Sequence, residues 1–175
     1  MRAVGTAQKK ESGWGWVISI AIAVAVALVI RSFVFEPILV LESSMLPTLH
    51  EGESMGVEKI SRYSSLPARG DIVIVTAPDN NETLVKRAVG LPGDTLEVKN
   101  SKLYVNGQAV SEPYVSQTAY NDFKAVTVPE GCIYVMGDNR AVSKDSRFFG
   151  PVNRSAIIGH ALFVIWPLNE IHALE

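Results

Sequence analysis

Residues 14–30 read WGWVISIAIAVAVALVI, seventeen positions without a charge. Ser12 and Gly13 extend the uncharged run to nineteen residues, which as a helix rising ~1.5 Å per residue spans about 28 Å, close to the ~30 Å hydrocarbon core of a bilayer. Its many β-branched side chains disfavour helix in water, but in lipid a lone spanning segment can satisfy its backbone only as a helix. A cleavable secretory leader is the competing reading, because Arg2, Lys9 and Lys10 precede the run and Ala23, Ala25 and Ala27 have A-x-A spacing. Those alanines lie inside the apolar run, which continues through Leu28, Val29 and Ile30, whereas a cleavage site should follow it. A retained anchor is the better account. Lys9 and Lys10 before the span, against Arg31 alone just after it, place the N-terminus inside and the rest outside. The expected organisation is a cytoplasmic tail at 1–13, an anchor helix at 14–31 and an extracytoplasmic domain at 32–175.

Working outward from the anchor, the rest of the 175-residue chain suits one modest globular domain, at 47% hydrophobic and 19% charged residues overall. Sixteen Lys and Arg against eighteen Asp and Glu give a net charge of −2 with scattered basic residues, which argues against a nucleic-acid partner. The single cysteine, Cys132, excludes an internal disulfide and a multi-cysteine zinc site. Beyond Arg31 short apolar or alternating stretches are separated by turn signals, with no sustained amphipathic helix, so the domain is expected to be mainly β. Strands are predicted at 38–42, 54–59, 71–76, 83–90, 95–99, 102–105, 125–127, 133–136 and 161–165. Asn106-Gly107, between LYV and QAV, predicts a tight hairpin because both residues tolerate positive φ. Residues 111–124 are polar with scattered aromatics and read as a surface loop or insertion.

Candidate chemistry begins with the histidines, the usual bases for a serine nucleophile. His50 opens HEGES, which lacks the second histidine of a zinc-binding HExxH, and no metal site is expected. His160 lies in an apolar stretch and His172 near the tail, where structural roles are the default. A lysine can be the base if its amine is neutral, and apolar burial lowers its pKa by several units. Lys86 in TLVKRAVGLPGD suits this: Leu84, Val85, Ala88 and Val89 flank it, and on a strand Lys86 and Arg87 point to opposite faces, so one can be dry while the other stays wet. An exposed Lys-Arg pair is the plain alternative. In VLESSMLPTL, Ser44 ends an extended apolar stretch and meets a Pro-restrained turn, which can fix a hydroxyl for nucleophilic attack, although a simple turn serine would read the same way. A third segment, MGDNRAVSKDSRFFGPV at 136–152, gathers polar groups between apolar strands, as an ordinary polar loop also could.

Taken in order, SSMLPTL at 43–49, GDIVIV at 70–75, VKRAVGLPGD at 85–94 and GDNRAVSKDSR at 137–147, preceded by an N-terminal anchor, resemble the boxes of bacterial type I signal peptidases. The resemblance runs from the anchor to the last box. It implies an antiparallel β domain of the signal-peptidase type behind one transmembrane helix, and an enzyme that removes signal peptides from exported preproteins after small residues, without metal or cofactor. It implies that Ser44 is the nucleophile and Lys86 the general base of a Ser/Lys dyad, that Ser143 orients the amine, that Asp145 and Arg147 form a supporting ion pair, and that Asp138 is structural. The Ser44 N–H is the first candidate oxyanion donor and Met45 a candidate pocket wall. Two residues before the nucleophile the family pattern has Gly or Ser, but this chain has Glu42, whose carboxylate only accepts hydrogen bonds and leaves the second oxyanion donor unassigned. Two other classes stay open at this point: a self-cleaving Ser/Lys repressor, which would need a DNA-binding segment and no anchor, and a tethered β module that binds partners without chemistry.

Overall fold

The computed structural model describes residues 14–116 and 120–174, so the tail at 1–13, with Lys9 and Lys10, lies outside the described residues. The apolar run forms α1 (Gly15–Phe33), none of whose residues is buried against the rest of the protein. Its most apolar 18-residue window has a mean hydropathy of 2.3, so α1 is long and apolar enough to cross a membrane. The Ser19 hydroxyl, polar within this helix, donates to the Gly15 carbonyl at 3.0 Å and is satisfied locally.

Only Val34 separates α1 from β1 (Phe35–Leu39). Then follow β2 (Ser54–Glu58), the single turn α2 (Ser61–Ser64), β3 (Ile72–Thr76), β4 (Thr83–Gly90), β5 (Thr95–Lys99), β6 (Lys102–Val105), β7 (Gln108–Ala109), β8 (Phe123–Thr127), β9 (Cys132–Met136), the single turn α3 (Ser146–Phe149), β10 (Val152–Asn153), β11 (Ile157–Trp166) and β12 (His172–Ala173). Every strand pairing is antiparallel. One sheet runs β1-β2-β11-β3-β4-β9-β10 with β12 paired to β11, and a smaller one runs β7-β6-β5-β8. The expected mainly β domain behind one apolar helix is what is found.

The first strand starts three residues before the predicted 38, because β2 pairs Phe35 with Glu58 directly after the helix. Pro37 is tolerated there because β1 is an outer strand, where a missing N–H breaks no ladder on the open side. The last long strand begins at Ile157 rather than 161 and bonds to β2, β3 and β12. Register shifts bend it, and at one of them, Gly159, an added Cβ would overlap the Glu58 carbonyl. The Asn106-Gly107 turn joins β6 to β7 with φ of 54° and 78°, the positive values that the hairpin reading required.

Alternation along these strands packs the core in three clusters. Val40, Met45, Leu49 and Met55 lie in the first, Val73, Leu84, Ile133 and Val135 in the second, and Leu96, Leu103, Tyr134 and Met136 in the third, beneath the small sheet. The first two clusters grip the turn after β1 and the middle of β4, so hydrophobic burial fixes the backbones on which Ser44 and Lys86 sit.

Candidate active site

Ser44 is the middle residue of a short 3-10 turn, Ser43–Met45, entered from the extended Glu42. The turn is fastened at both ends. Val40 exchanges backbone bonds with Glu53 (2.8 Å) and Gly52 (3.0 Å), and Met45 O accepts from Thr48 N (2.9 Å) and Leu49 N (3.0 Å). Lys86 sits mid-way along β4 opposite Val73 of β3. Ser44 is 8% and Lys86 0% exposed, and Lys86 Nζ lies 2.8 Å from Ser44 Oγ. The amine also donates to Val85 O at 3.0 Å. Burial pushes the Lys86 pKa below its ordinary value, while the carboxylates of Glu42, then Asp145, Glu82 and Asp138, pull the other way.

Arg87 departs from the sequence expectation that one of the two neighbours stays wet. It is 1% exposed, because the opposite face of β4 is covered as well. Its guanidinium forms a two-pronged bond with Asp138, Nε to Oδ1 at 2.9 Å and Nη2 to Oδ2 at 2.8 Å, and Nη1 donates to Gly70 O at 2.7 Å. Asp138 Oδ2 also accepts from Thr48 Oγ1 at 2.5 Å, which ties the ion pair to the turn that carries Ser44. A buried arginine needs this degree of matching, since an isolated buried charge is costly.

The loop after β9 closes the site. Asp145 pairs with Arg147 (Nη2 to Oδ2, 2.8 Å) and accepts the Gly137 N–H at 3.0 Å. Asn139 N donates to Ser44 O at 3.1 Å and its Nδ2 to Ser43 O at 3.0 Å. Ser143 Oγ is buried and has no hydrogen-bond partner among the described residues, so no bond from it to the lysine amine is formed in this structure; the amine donates to Val85 O. Asn139, Arg140, Thr48 and Gly137 carry no role in the sequence reading, since neither within GDNR nor in the turn SSMLPTL does anything separate a loop-holding side chain from a solvated one.

Gly137 has no spare room: a Cβ there would overlap Ser143 Oγ and the Ser44 carbonyl oxygen. Gly137→Ala is therefore expected to cost about 1–3 kcal/mol by overpacking, and to lower turnover by displacing Ser44. Thermal unfolding together with a cleavage assay checks this, and unchanged values in both would show that the loop has slack.

The histidines lie elsewhere. His50 faces Glu53 at 3.6 Å, His160 Nδ1 is 3.2 Å from Ser61 Oγ and 3.7 Å from Glu58, and His172 Nδ1 is 2.7 Å from Glu170 O. A groove of about 380 Å³ runs past Ser44. Ile38 to Glu42 form one wall, Glu82 to Val85 the other, and Met45 contributes to the lining.

The family described as signal peptidase, peptidase S26, matches residues 13–166. The chain is 47% identical over 159 residues to signal peptidase I of Bacillus licheniformis, covering 85% of this chain and 86% of that protein. It is 44% identical over 155 residues to signal peptidase I T of Bacillus subtilis (strain 168), covering 82% and 80%. Among solved structures, a signal peptidase I from Enterococcus faecalis V583 superposes with a TM-score of 0.51 at 36% identity, covering 55% of this chain and 97% of that one. These likenesses make the chain a serine peptidase, and so a hydrolase. It belongs to the signal peptidase family, and its activity is the removal of signal peptides from preproteins. A repressor and a module without chemistry are thereby set aside.

Proposed function

We propose that this chain is a membrane-anchored endopeptidase in which Ser44 is the nucleophile and Lys86 its general base, and that it cleaves exported preproteins after small residues. The observation that carries the reading is the 2.8 Å approach of a fully buried lysine amine to Ser44 Oγ. As Ser44 Oγ attacks the scissile carbonyl carbon, its proton passes to neutral Lys86. The tetrahedral adduct collapses with loss of the C–N bond, and Lys86 returns the proton to the departing amine. Water then attacks the acyl-serine, Lys86 again taking a proton, and Ser44 leaves as the free hydroxyl. Ser44, in the first turn of its 3-10 segment, has no intrahelical acceptor for its N–H, which is free to face the oxyanion. Asp145 with Arg147 brace the loop and Asp138 holds Arg87; the Ser143 hydroxyl, which has no partner among the described residues, is the group we assign to orient the amine once Lys86 turns from Val85 O.

The groove between residues 38–42 and 82–85 suits an extended peptide bonded through its main chain, with Met45 at the floor beneath a small side chain. The anchor at 14–31 crosses the cytoplasmic membrane once, with residues 1–13 inside and 32–175 outside. Enzyme and preprotein then share one bilayer, which raises their effective concentration.

The pH profile tests the base. Lysine must be neutral to accept a proton, so activity rises with pH through the folded-state pKa of Lys86, and burial brings that acid limb below the ordinary lysine value. The Glu42 carboxylate favours the charged amine. Glu42→Ala is thus expected to move the limb to still lower pH. A limb unmoved in Glu42→Ala but abolished by replacing His50 or His160 would remove lysine from the mechanism.

A further inference from the structure

Residues 111–116, between β7 and β8, are polar and without regular structure, yet they cover two buried arginines, Arg87 and Arg140, each 1% exposed. Glu112 takes both prongs of Arg140, Nη1 to Oε2 at 2.9 Å and Nη2 to Oε1 at 2.6 Å, with the two side chains 7% and 0% exposed. Tyr114 lies flat against the other buried arginine, its ring centre 3.9 Å from Arg87 Cζ, and its hydroxyl donates to Glu112 Oε1 at 3.1 Å. Tyr120 completes the cover, accepting from Arg140 Nη1 at 3.2 Å.

What these residues cover leads directly to Ser44. Arg140 Nε donates to Gly137 O at 3.0 Å, and two residues on, Asn139 N holds the Ser44 carbonyl at 3.1 Å. Arg87 holds Asp138, which holds Thr48, whose N–H closes the turn on Met45. Each arginine thus joins residues 112–114 on one side to the nucleophile turn on the other.

We infer that Glu112 and Tyr114 are positioning residues for the cleavage reaction, a strap that keeps Arg87 and Arg140 dry and thereby fixes Ser44 against its base. The inference rests on Ser44 being the nucleophile. Dry guanidinium–carboxylate pairs are stiff because water cannot compete for their prongs, and the face of an aromatic ring, here that of Tyr114, attracts a cation while excluding water. Neither residue touches the groove, so the strap acts on turnover rather than on substrate binding.

The test uses the full chain in detergent micelles and a peptide spanning a preprotein cleavage site, well below each variant's unfolding temperature. Tyr114→Ala is expected to lower kcat by about 10-fold to 100-fold, the scale of a sub-ångström to ångström misplacement, with KM and the acid limb unchanged. Tyr114→Phe keeps the ring over Arg87 and is expected to retain kcat within about twofold, a rescue that generic destabilisation would not give. Wild-type kcat in Tyr114→Ala, or an equal fall in Tyr114→Phe, overturns the inference. Ser44→Ala, assayed alongside, separates the two ideas: if it still cleaves, the nucleophile assignment fails, and if it is dead while Tyr114→Ala is fully active, only the strap fails.

Discussion

Ser44→Ala and Lys86→Met are each expected to reduce preprotein cleavage by about 10⁴-fold or more, because a nucleophile and its base act as one unit and neither works alone. The geometry leaves no evident substitute. Within the described residues Lys86 Nζ is the basic group bonded to Ser44 Oγ, and the histidines bond to Glu53, Glu58, Ser61 and Glu170 instead. Both variants are expected to fold. Because burial depresses the lysine pKa, holding Lys86 in the core costs stability in full below the folded-state pKa, and the cost fades as pH rises toward the ordinary value of 10.5. Lys86→Met removes it, so the inactive variant is expected to unfold at a higher temperature than wild type at neutral pH, a gain that shrinks in alkali. Cleavage assays and thermal scans across pH check both halves. Substantial turnover in either purified variant would sink the dyad.

The second large effect concerns the opposite face of the same strand. Asp138→Ala removes the carboxylate from a guanidinium that is 1% exposed, and strips Thr48 of its acceptor. Leaving one member of a buried pair uncompensated typically costs about 3–5 kcal/mol, which for a protein of this size corresponds to a fall of roughly 6–20 °C in Tm at ~2–4 °C per kcal/mol. Asp138→Asn keeps an acceptor for Arg87 and is expected to lose less. Calorimetry of the two variants is the check, and a Tm change in Asp138→Ala below ~3 °C would mean that water or another group reaches Arg87.

The contrast between Lys86 and Arg87 marks how far the sequence could be read. Alternation along a strand places the two on opposite faces, Lys86 bonding to Ser44 and Arg87 to Asp138. Whether both faces are covered depends on what packs there from afar, and the cover over Arg87 is a tyrosine 27 positions later, in a stretch with no apolar periodicity to announce it. Glu112 was equally silent, since a lone glutamate beside a proline reads as solvent-facing until its arginine is seen. By contrast the apolar run at 14–30 and the Asn106-Gly107 turn were plain, because each depends on local chemistry alone. The bulges of β11 and its start at Ile157 were hidden for the same reason as Arg87: three partner strands, not the segment itself, fix its bounds. Ser143 shows the limit of resemblance, which named a role for its hydroxyl but not the geometry in which that hydroxyl is left unbonded.

The single residue between α1 and β1 has a consequence for which preproteins are cut. Ser44 is eleven positions beyond Phe33, so no backbone path can place it more than roughly 40 Å from the helix end at ~3.6 Å per residue. If the helix spans the bilayer as proposed, the short joint caps how far from the membrane a bond is broken, and a substrate whose scissile bond lies beyond that reach is not cut.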